Sequence, residues 1–178
     1  MELTDGYVTL RPFRPDDVDA LYEAVQESIA GLLKYMPVWL SDYTLEECRS
    51  WIESQTGEES YTFATFDATN NKLLGGCGLR ITDKSFGVAD LSYWMRTNQT
   101  KRGFATSAAL LLVQFGFNEL NLNRIEIVVK TDNIPSQRVA EKLGAIKEGV
   151  MRNRIVLNAR PYDAVVYSLI PQDLTPKS

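Results

Sequence analysis

The residues best suited to chemistry lie at positions 91–106, which read LSYWMRTNQTKRGFAT. Lys101 and Arg102 bring positive charge to a polar loop, and Gly103 follows them just before an apolar run. A helix that begins at about Phe104 would offer unpaired N–H groups and the positive end of its dipole, and both attract phosphate. Because glycine has no Cβ, the backbone at Gly103 could approach an anion closely. We therefore predict an anion site here, with an ordinary solvated strand-to-helix turn as the alternative.

The composition excludes several kinds of catalysis. The 178 residues include no histidine, so Ser-His-Asp and Cys-His sites and the HExxH zinc motif are ruled out. Any general acid or base must be another side chain or water. Cys48 and Cys77 form no CxxC pattern, so we predict no metal or redox pair, and expect buried thiols in a reducing cytoplasm.

The net charge and the hydropathy of the chain limit which partners and which location we expect for it. The net charge of −4 argues against direct binding of nucleic acid, which usually requires a basic excess. No apolar run approaches the ~20 residues needed to cross a bilayer, and Asp5 and Arg11 interrupt any signal peptide. We expect one cytoplasmic domain over residues 1–173, a loose tail at 174–178 and no membrane contact.

Periodicity and turn signals place elements in the first half of the chain. Strand 8–11 precedes a helix that Pro15 begins, and the capping box of Thr44 and Glu47 begins a second helix. Strands 61–66 and 73–81 form a hairpin, and strand 88–95 extends it into an antiparallel meander. The glycines at 75, 76 and 78 lack GxGxxG spacing, so we expect a bulge or a close strand contact.

The order of elements changes in the second half. Strand 88–95, a helix over 104–117 and strand 124–130 form a strand–helix–strand unit, which predicts parallel strands. A further helix begins near Pro135 and ends at Gly144. The segment from 147 to 170 predicts two or three strands.

Several stretches, in this order and spacing, resemble the GNAT N-acetyltransferases, and more narrowly their RimJ/RimL branch of ribosomal-protein N-terminal acetyltransferases. They are positions 89–94 (ADLSYW) with 102–106 (RGFAT), then 123–126 (NRIE), 133–136 (NIPS), and 141–145 (EKLGA) leading to 148–149 (EG). The resemblance implies an α/β (α+β) GNAT fold with a mixed, mostly antiparallel sheet of about seven strands and about four helices. In this family the sheet splays open, here between strands 88–95 and 124–130.

The resemblance also implies acetyl-CoA as co-substrate and no metal. Residues Trp94, Met95 and Arg96 should then hydrogen-bond the pantetheine arm. The diphosphate should lie in the loop formed by Lys101, Arg102, Gly103, Phe104, Ala105 and Thr106. Asn133 would contact pantetheine, and Arg138 would lie near the nucleotide phosphates.

Each candidate catalytic residue also has a possible structural role. By resemblance, Ser136 is the candidate acid, although it could simply satisfy N–H groups at a helix start. Asp90 and Glu126 are the candidate bases, because a carboxylate in a strand is costly to bury without a partner. Glu126 could instead pair with an arginine, and Asp90 could lie on a solvated face. The catalytic Glu of some ribosomal-protein enzymes aligns near Ile155, which cannot titrate.

The resemblance therefore implies acetyl transfer to a primary amine, by direct attack of the amine on the thioester in a ternary complex. An α-amino group near pKa 8 is roughly one-tenth neutral at pH 7, whereas a lysine amine is about 0.04% neutral. A site without a strong base therefore favours a protein N-terminus. The alternatives are a small amine such as an antibiotic, polyamine or amino-sugar, bound beside positions 35–43, and a non-catalytic acyl-CoA-binding module. A homodimer and a monomer are both compatible with the sequence.

Overall fold

A single mixed sheet organises the chain, whose computed structural model describes residues 1–36, 43–55 and 59–174. The strands are β1 (Leu3–Thr4), β2 (Val8–Pro12), β3 (Ser60–Asp67), β4 (Leu73–Asp83), β5 (Val88–Met95), β6 (Arg124–Lys130), β7 (Ile146–Leu157) and β8 (Arg160–Leu169). The helices are α1 (Val18–Leu32), α2 (Leu45–Glu53), α3 (Phe104–Asn118) and α4 (Ile134–Lys142). The predicted fold class is confirmed, with eight strands rather than about seven because the two-residue β1 pairs with β2.

The strand order is β1-β2-β3-β4-β5-β6-β8-β7. Strands β3, β4 and β5 form the predicted antiparallel meander. The pair β5 and β6 is parallel, as the strand–helix–strand pattern predicts. The C-terminal segment forms two strands, which pair antiparallel with each other, and β8 also pairs with β6.

Two apolar clusters lie on opposite faces of this sheet. Phe63 and Ala64 are neighbours in β3 yet belong to different clusters, because successive side chains of a strand alternate between faces. The face of Phe63 packs against α3, whose Ala108 and Leu112 are fully buried, and the face of Ala64 packs against α1 and α2.

Local sequence signals explain most element boundaries. The Thr44–Glu47 capping box forms as predicted: the Thr44 N–H donates to Glu47 Oε2 at 2.8 Å, and the Glu47 N–H donates to Thr44 Oγ1 at 3.2 Å. A Cβ on Gly75 would lie 2.1 Å from the carbonyl oxygen of Trp94. The glycines of β4 therefore permit the close strand contact that the sequence predicts.

Some boundaries differ from the prediction. Residues Pro15–Asp17 form a 3-10 turn, and α1 begins only at Val18. Leu174, the first residue of the predicted tail, ends a 3-10 turn and packs on the main core. Positions 175–178, and 37–42 of the predicted acceptor wall, lie outside the described residues.

Cys48 and Cys77 are buried and free, as expected. Among the helices that the structure describes, none is long and apolar enough to cross a membrane.

Candidate active site

The sheet opens between β5 and β6. The two strands pair only from Val88 with Arg124 to Asp90 with Glu126. Beyond that point β5 continues to Met95 along β4, and β6 continues along β8, without pairing to each other. A gap therefore lies between the C-terminal halves of the two parallel strands.

The register of β5 decides which of its main-chain groups face this gap. The Arg96 N–H donates to the Leu74 carbonyl at 2.7 Å, toward β4. Because successive residues of a strand direct their N–H and C=O groups to opposite sides, Trp94 also faces β4. The main-chain groups of Tyr93 and Met95 therefore face the gap. Of the three residues predicted to bind pantetheine, Met95 is the one whose main-chain N–H and C=O face the gap.

Arg96 has a different environment from the one expected. Its side chain is 2% exposed and its guanidinium contacts Glu23 and Glu27 of α1, at 3.1 and 2.6 Å. Its carbonyl accepts the Gln99 N–H at 3.0 Å. Its Nη1, its main-chain N–H and its carbonyl are engaged inside the protein, and its buried Nε has no hydrogen-bond partner among the described residues. Arg96 thus anchors α1 to the end of β5, and its contact with pantetheine stays a prediction.

The start of α3 has the geometry of an anion site. Gly103 is the N-cap residue with φ of 90°, and Lys101 has φ of 64°. The first helical hydrogen bond runs from the Ser107 N–H to the Gly103 carbonyl at 3.0 Å. The N–H groups of residues 104–106 precede it, and no acceptor for them occurs among the described residues. A Cβ on Gly103 would meet no atom within 4 Å, so the space beside these amides is open.

The positively charged side chains of this loop lie at the protein surface. The Arg102 guanidinium donates to Gln99 Oε1 at 2.7 Å and lies 4.8 Å from the centre of the Phe104 ring. Lys101, Arg102 and Gly103 are exposed. Exposed cations beside helix N–H groups that have no acceptor among the described residues favour a phosphate, so this geometry is compatible with the predicted anion site.

Ser136 and Tyr93 meet across the gap. The Ser136 hydroxyl donates to the Tyr93 hydroxyl at 3.1 Å, and the Tyr93 hydroxyl donates to the Ser136 carbonyl at 3.0 Å. Asn133 caps α4 by accepting the Ser136 N–H at 3.3 Å. Burial raises the pKa of Tyr93 to about 12, although the bond with Ser136 partly opposes this, so Tyr93 is protonated at neutral pH. Tyr93 is not among the site residues predicted from the sequence; the signal that could have found it is its alternation with Met95 along β5.

The two candidate bases are register neighbours where the strands part, and both are ion-paired. Asp90 contacts the Arg80 guanidinium at 2.9 Å, and Glu126 contacts Arg124 at 2.8 Å. Arg124 also contacts Glu148 at 2.7 Å. Asp90 Oδ1 is buried and has no hydrogen-bond partner among the described residues. Each carboxylate is thus ion-paired through one oxygen, and Asp90 Oδ1 is the one that is both buried and without a partner among the described residues. A buried acceptor without a partner is costly, so Asp90 has the stronger need for a further hydrogen-bond donor.

The remaining predicted residue, Arg138, is exposed on α4. Two cavities lie elsewhere: one of about 600 Å³ is lined by Met151, Arg152, Asn153 and Asp163, and one of about 440 Å³ lies near Lys84 and Leu120. Neither includes a predicted site residue. A diphosphate at a helix N-terminus needs only an open surface.

Comparison with known proteins agrees with this geometry. A family model described as "Acetyltransferase (GNAT) domain" matches residues 8–146. The uncharacterized N-acetyltransferase YnaD of Bacillus subtilis (strain 168) is 26% identical over 175 residues, which cover 97% of this chain and 99% of YnaD.

Solved structures share the fold. A Vibrio cholerae protein, provisionally assigned as a ribosomal-protein-serine acetyltransferase, superposes with a TM-score of 0.84 at 26% identity, covering 96% of this chain and 98% of that one. Mycobacterium smegmatis RimJ, solved in complex with CoA-disulfide, has a TM-score of 0.88 at 22% identity, covering 100% of this chain and 89% of RimJ.

Proposed function

This chain belongs to the acetyltransferase (GNAT) domain family, and from that premise we propose that it acetylates the N-terminal α-amino group of a protein, with acetyl-CoA as donor. The observation that carries the choice of acceptor is that both candidate bases are already held in ion pairs. Each of these carboxylates already has one oxygen engaged by an arginine, and such a site suits an amine that is partly neutral on its own.

The start of α3 fits the diphosphate of CoA. Its three free N–H groups, the left-handed Gly103 and the exposed Lys101 supply hydrogen bonds, close approach and charge. The cofactor contributes an activated acetyl thioester. Asn133 and Arg138 remain proposed contacts along α4, to pantetheine and to the nucleotide phosphates.

The gap between β5 and β6 would receive the thioester. The Met95 main chain, free of strand pairing on that side, can donate a hydrogen bond to the thioester oxygen as charge develops. Ser136 would supply a proton to the departing sulfur, with Tyr93 behind it as a protonated partner.

The acceptor would approach from the other face of the sheet. Ala89 and Leu91 of β5 belong to the core that contains α3, so Asp90, between them, is directed to the opposite face. Its unpartnered Oδ1 can accept a proton from the amine, directly or through water. Glu126 is also ion-paired, to Arg124, but has no oxygen that is both buried and unpartnered among the described residues, so it is the weaker candidate.

Relatives support a protein acceptor without establishing it. The Vibrio cholerae protein carries a provisional ribosomal-protein-serine assignment at 26% identity over nearly the whole chain. The acceptor therefore remains our proposal, and the main competitor is a small amine.

An acceptor screen tests the proposal. Purified protein and acetyl-CoA are incubated with peptides bearing free N-terminal Ser or Ala, with the same peptides blocked at the N-terminus but carrying a lysine, and with spermidine and an aminoglycoside. We expect thiol release and a mass gain of one acetyl group only for free N-termini. Faster acetylation of a small amine would move the assignment to that class, and CoA binding without turnover on any amine would indicate a binding module.

A further inference from the structure

The turn between β1 and β2 rests on the proposed phosphate loop, although 95 positions separate them. The Tyr7 hydroxyl donates to the Arg102 carbonyl at 2.8 Å. The Tyr7 ring stacks on Phe104, with centroids 4.7 Å apart and planes inclined by 23°. Tyr7 therefore touches the residues on both sides of Gly103.

The turn is itself held in place. Asp5 Oδ1 accepts the N–H groups of Tyr7 and Val8, each at 2.9 Å. The other oxygen of Asp5 accepts the hydroxyl of Ser107 in the first turn of α3. The orientation of Tyr7 is thus set by a carboxylate that is fastened to the same helix start.

This contact fixes one peptide plane. In a trans peptide the carbonyl of one residue and the N–H of the next point in opposite directions. Because Tyr7 holds the Arg102 carbonyl, the Gly103 N–H must point away from Tyr7. The neighbouring Lys101 and Gly103 both have positive φ, a conformation that costs free energy in Lys101 and that an external contact can stabilise.

We propose that Tyr7 is a positioning residue for the phosphate loop: it orients the Arg102–Gly103 peptide so that the Gly103 N–H faces the diphosphate of the acyl donor. The inference rests on the proposed function, because it requires a diphosphate at this loop. It assigns a role to the β1–β2 turn, which lies outside the loop itself.

The test is Tyr7→Phe, which keeps the ring on Phe104 and removes only the donor. Affinity for CoA is measured by calorimetry, and steady-state kinetics are compared for acetyl-CoA and for S-acetylpantetheine, which lacks the diphosphate. We expect the Kd for CoA and the KM for acetyl-CoA to rise about threefold to tenfold, as for loss of one hydrogen bond. The kcat with acetyl-CoA and the kcat/KM with S-acetylpantetheine should stay near wild type.

Tyr61→Phe is the matched control, because the Tyr61 ring packs edge-on against Phe115, in the C-terminal part of α3. It should leave all four quantities unchanged. Unaltered CoA affinity in Tyr7→Phe, or equal losses with both thioesters, would overturn the inference while leaving the enzyme assignment intact. If the wild-type protein binds no CoA, the proposed function itself fails, and the inference with it.

Discussion

The reciprocal contact of Ser136 and Tyr93 sets a condition on proton transfer. The Ser136 hydroxyl donates to Tyr93 at 3.1 Å, so its proton is not directed at a thiolate until the hydroxyl rotates. Since a serine hydroxyl rotates freely, that change requires no movement of the backbone. Tyr93, which donates to the Ser136 carbonyl, holds the start of α4 against β5 throughout.

Ser136→Ala tests the proposed acid. Without the hydroxyl, we expect kcat to fall by ~10-fold to 100-fold, at or below the usual range for loss of acid–base catalysis, while the Kd for CoA changes less than about threefold. Stopped-flow thiol release and calorimetry measure the two quantities separately. A wild-type kcat would remove Ser136 from the mechanism. Tyr93→Phe, which keeps the ring, should lower kcat less than Ser136→Ala does.

Replacing each carboxylate with its isosteric amide distinguishes the catalytic roles of Asp90 and Glu126. Asp90→Asn should lower kcat/KM for a peptide acceptor by ~10-fold or more, because an amide in place of the unpartnered Oδ1 can no longer take up a proton from the amine. Glu126→Gln should change kcat/KM less than about threefold, since Glu126 is bound to Arg124. Initial rates at saturating acetyl-CoA decide between them. The reverse order of effects would transfer the role of base to Glu126.

At the scale of elements, the start of α3 depends on one glycine. Gly103 has φ of 90° with open space around its Cα, so alanine there would be strained without clashing. Gly144, which follows α4, has φ of 81° and equally open surroundings. The two positions therefore form a matched pair for the effect of a side chain at a left-handed residue.

Gly103→Ala and Gly144→Ala should each destabilise the fold by about 1 kcal/mol, the usual cost of a left-handed alanine. Only Gly103→Ala should also weaken CoA binding, by ~10-fold, because its methyl group lies where the anion approaches. Chemical denaturation and CoA titration of both variants give the comparison. Equal CoA affinity in the two variants would contradict the loop assignment.

At the scale of the whole molecule, ion pairs join different elements of the fold. Arg11 of β2 contacts Asp17 at 2.7 Å, just before α1. Arg124 of β6 contacts Glu148 of β7 across the intervening β8. Hydrogen bonds from Arg124 and Ser168 lower the pKa of Glu148 to about 2. Burial would raise the pKa of Asp17, but the hydrogen bonds from Arg11 and the Arg14 N–H lower it overall.

Both folded pKa values lie below the unfolded values of about 4, so the stability they contribute is present above about pH 4.5 and is lost as the pH falls toward 2. We expect a nearly constant Tm from pH 7 to 5 and a decline below pH 4.5, measured by thermal denaturation. Asp17→Asn should cost ~3 kcal/mol at pH 7 as a broken, largely buried pair, and Glu148→Gln, at an exposed site, about 1 kcal/mol or less. If neither variant flattens the acid decline, other groups must cause it.

The sequence by itself determined the features that depend on neighbours in the chain. The capping box at Thr44, the glycine before α3 and the alternation of β5 involve residues a few positions apart, so their conformations follow from local sterics and hydrogen bonding. The absence of histidine and the order of motifs were likewise readable from the sequence, and they led to the family and to the prediction of an anion site.

Only the tertiary structure decided which groups meet. The direction of the Arg96 and Trp94 main chains follows from the β4–β5 register. The partners of Asp90 and Tyr7 come from another strand and from a loop 95 positions away. Such contacts depend on how strands align across the sheet, and a shift of one residue would direct every side chain of a strand to the opposite face. The residues within one element do not specify that alignment, which is why the loop that we propose for the cofactor could be located from the sequence, while the contacts that support it and the partners of the candidate bases could not.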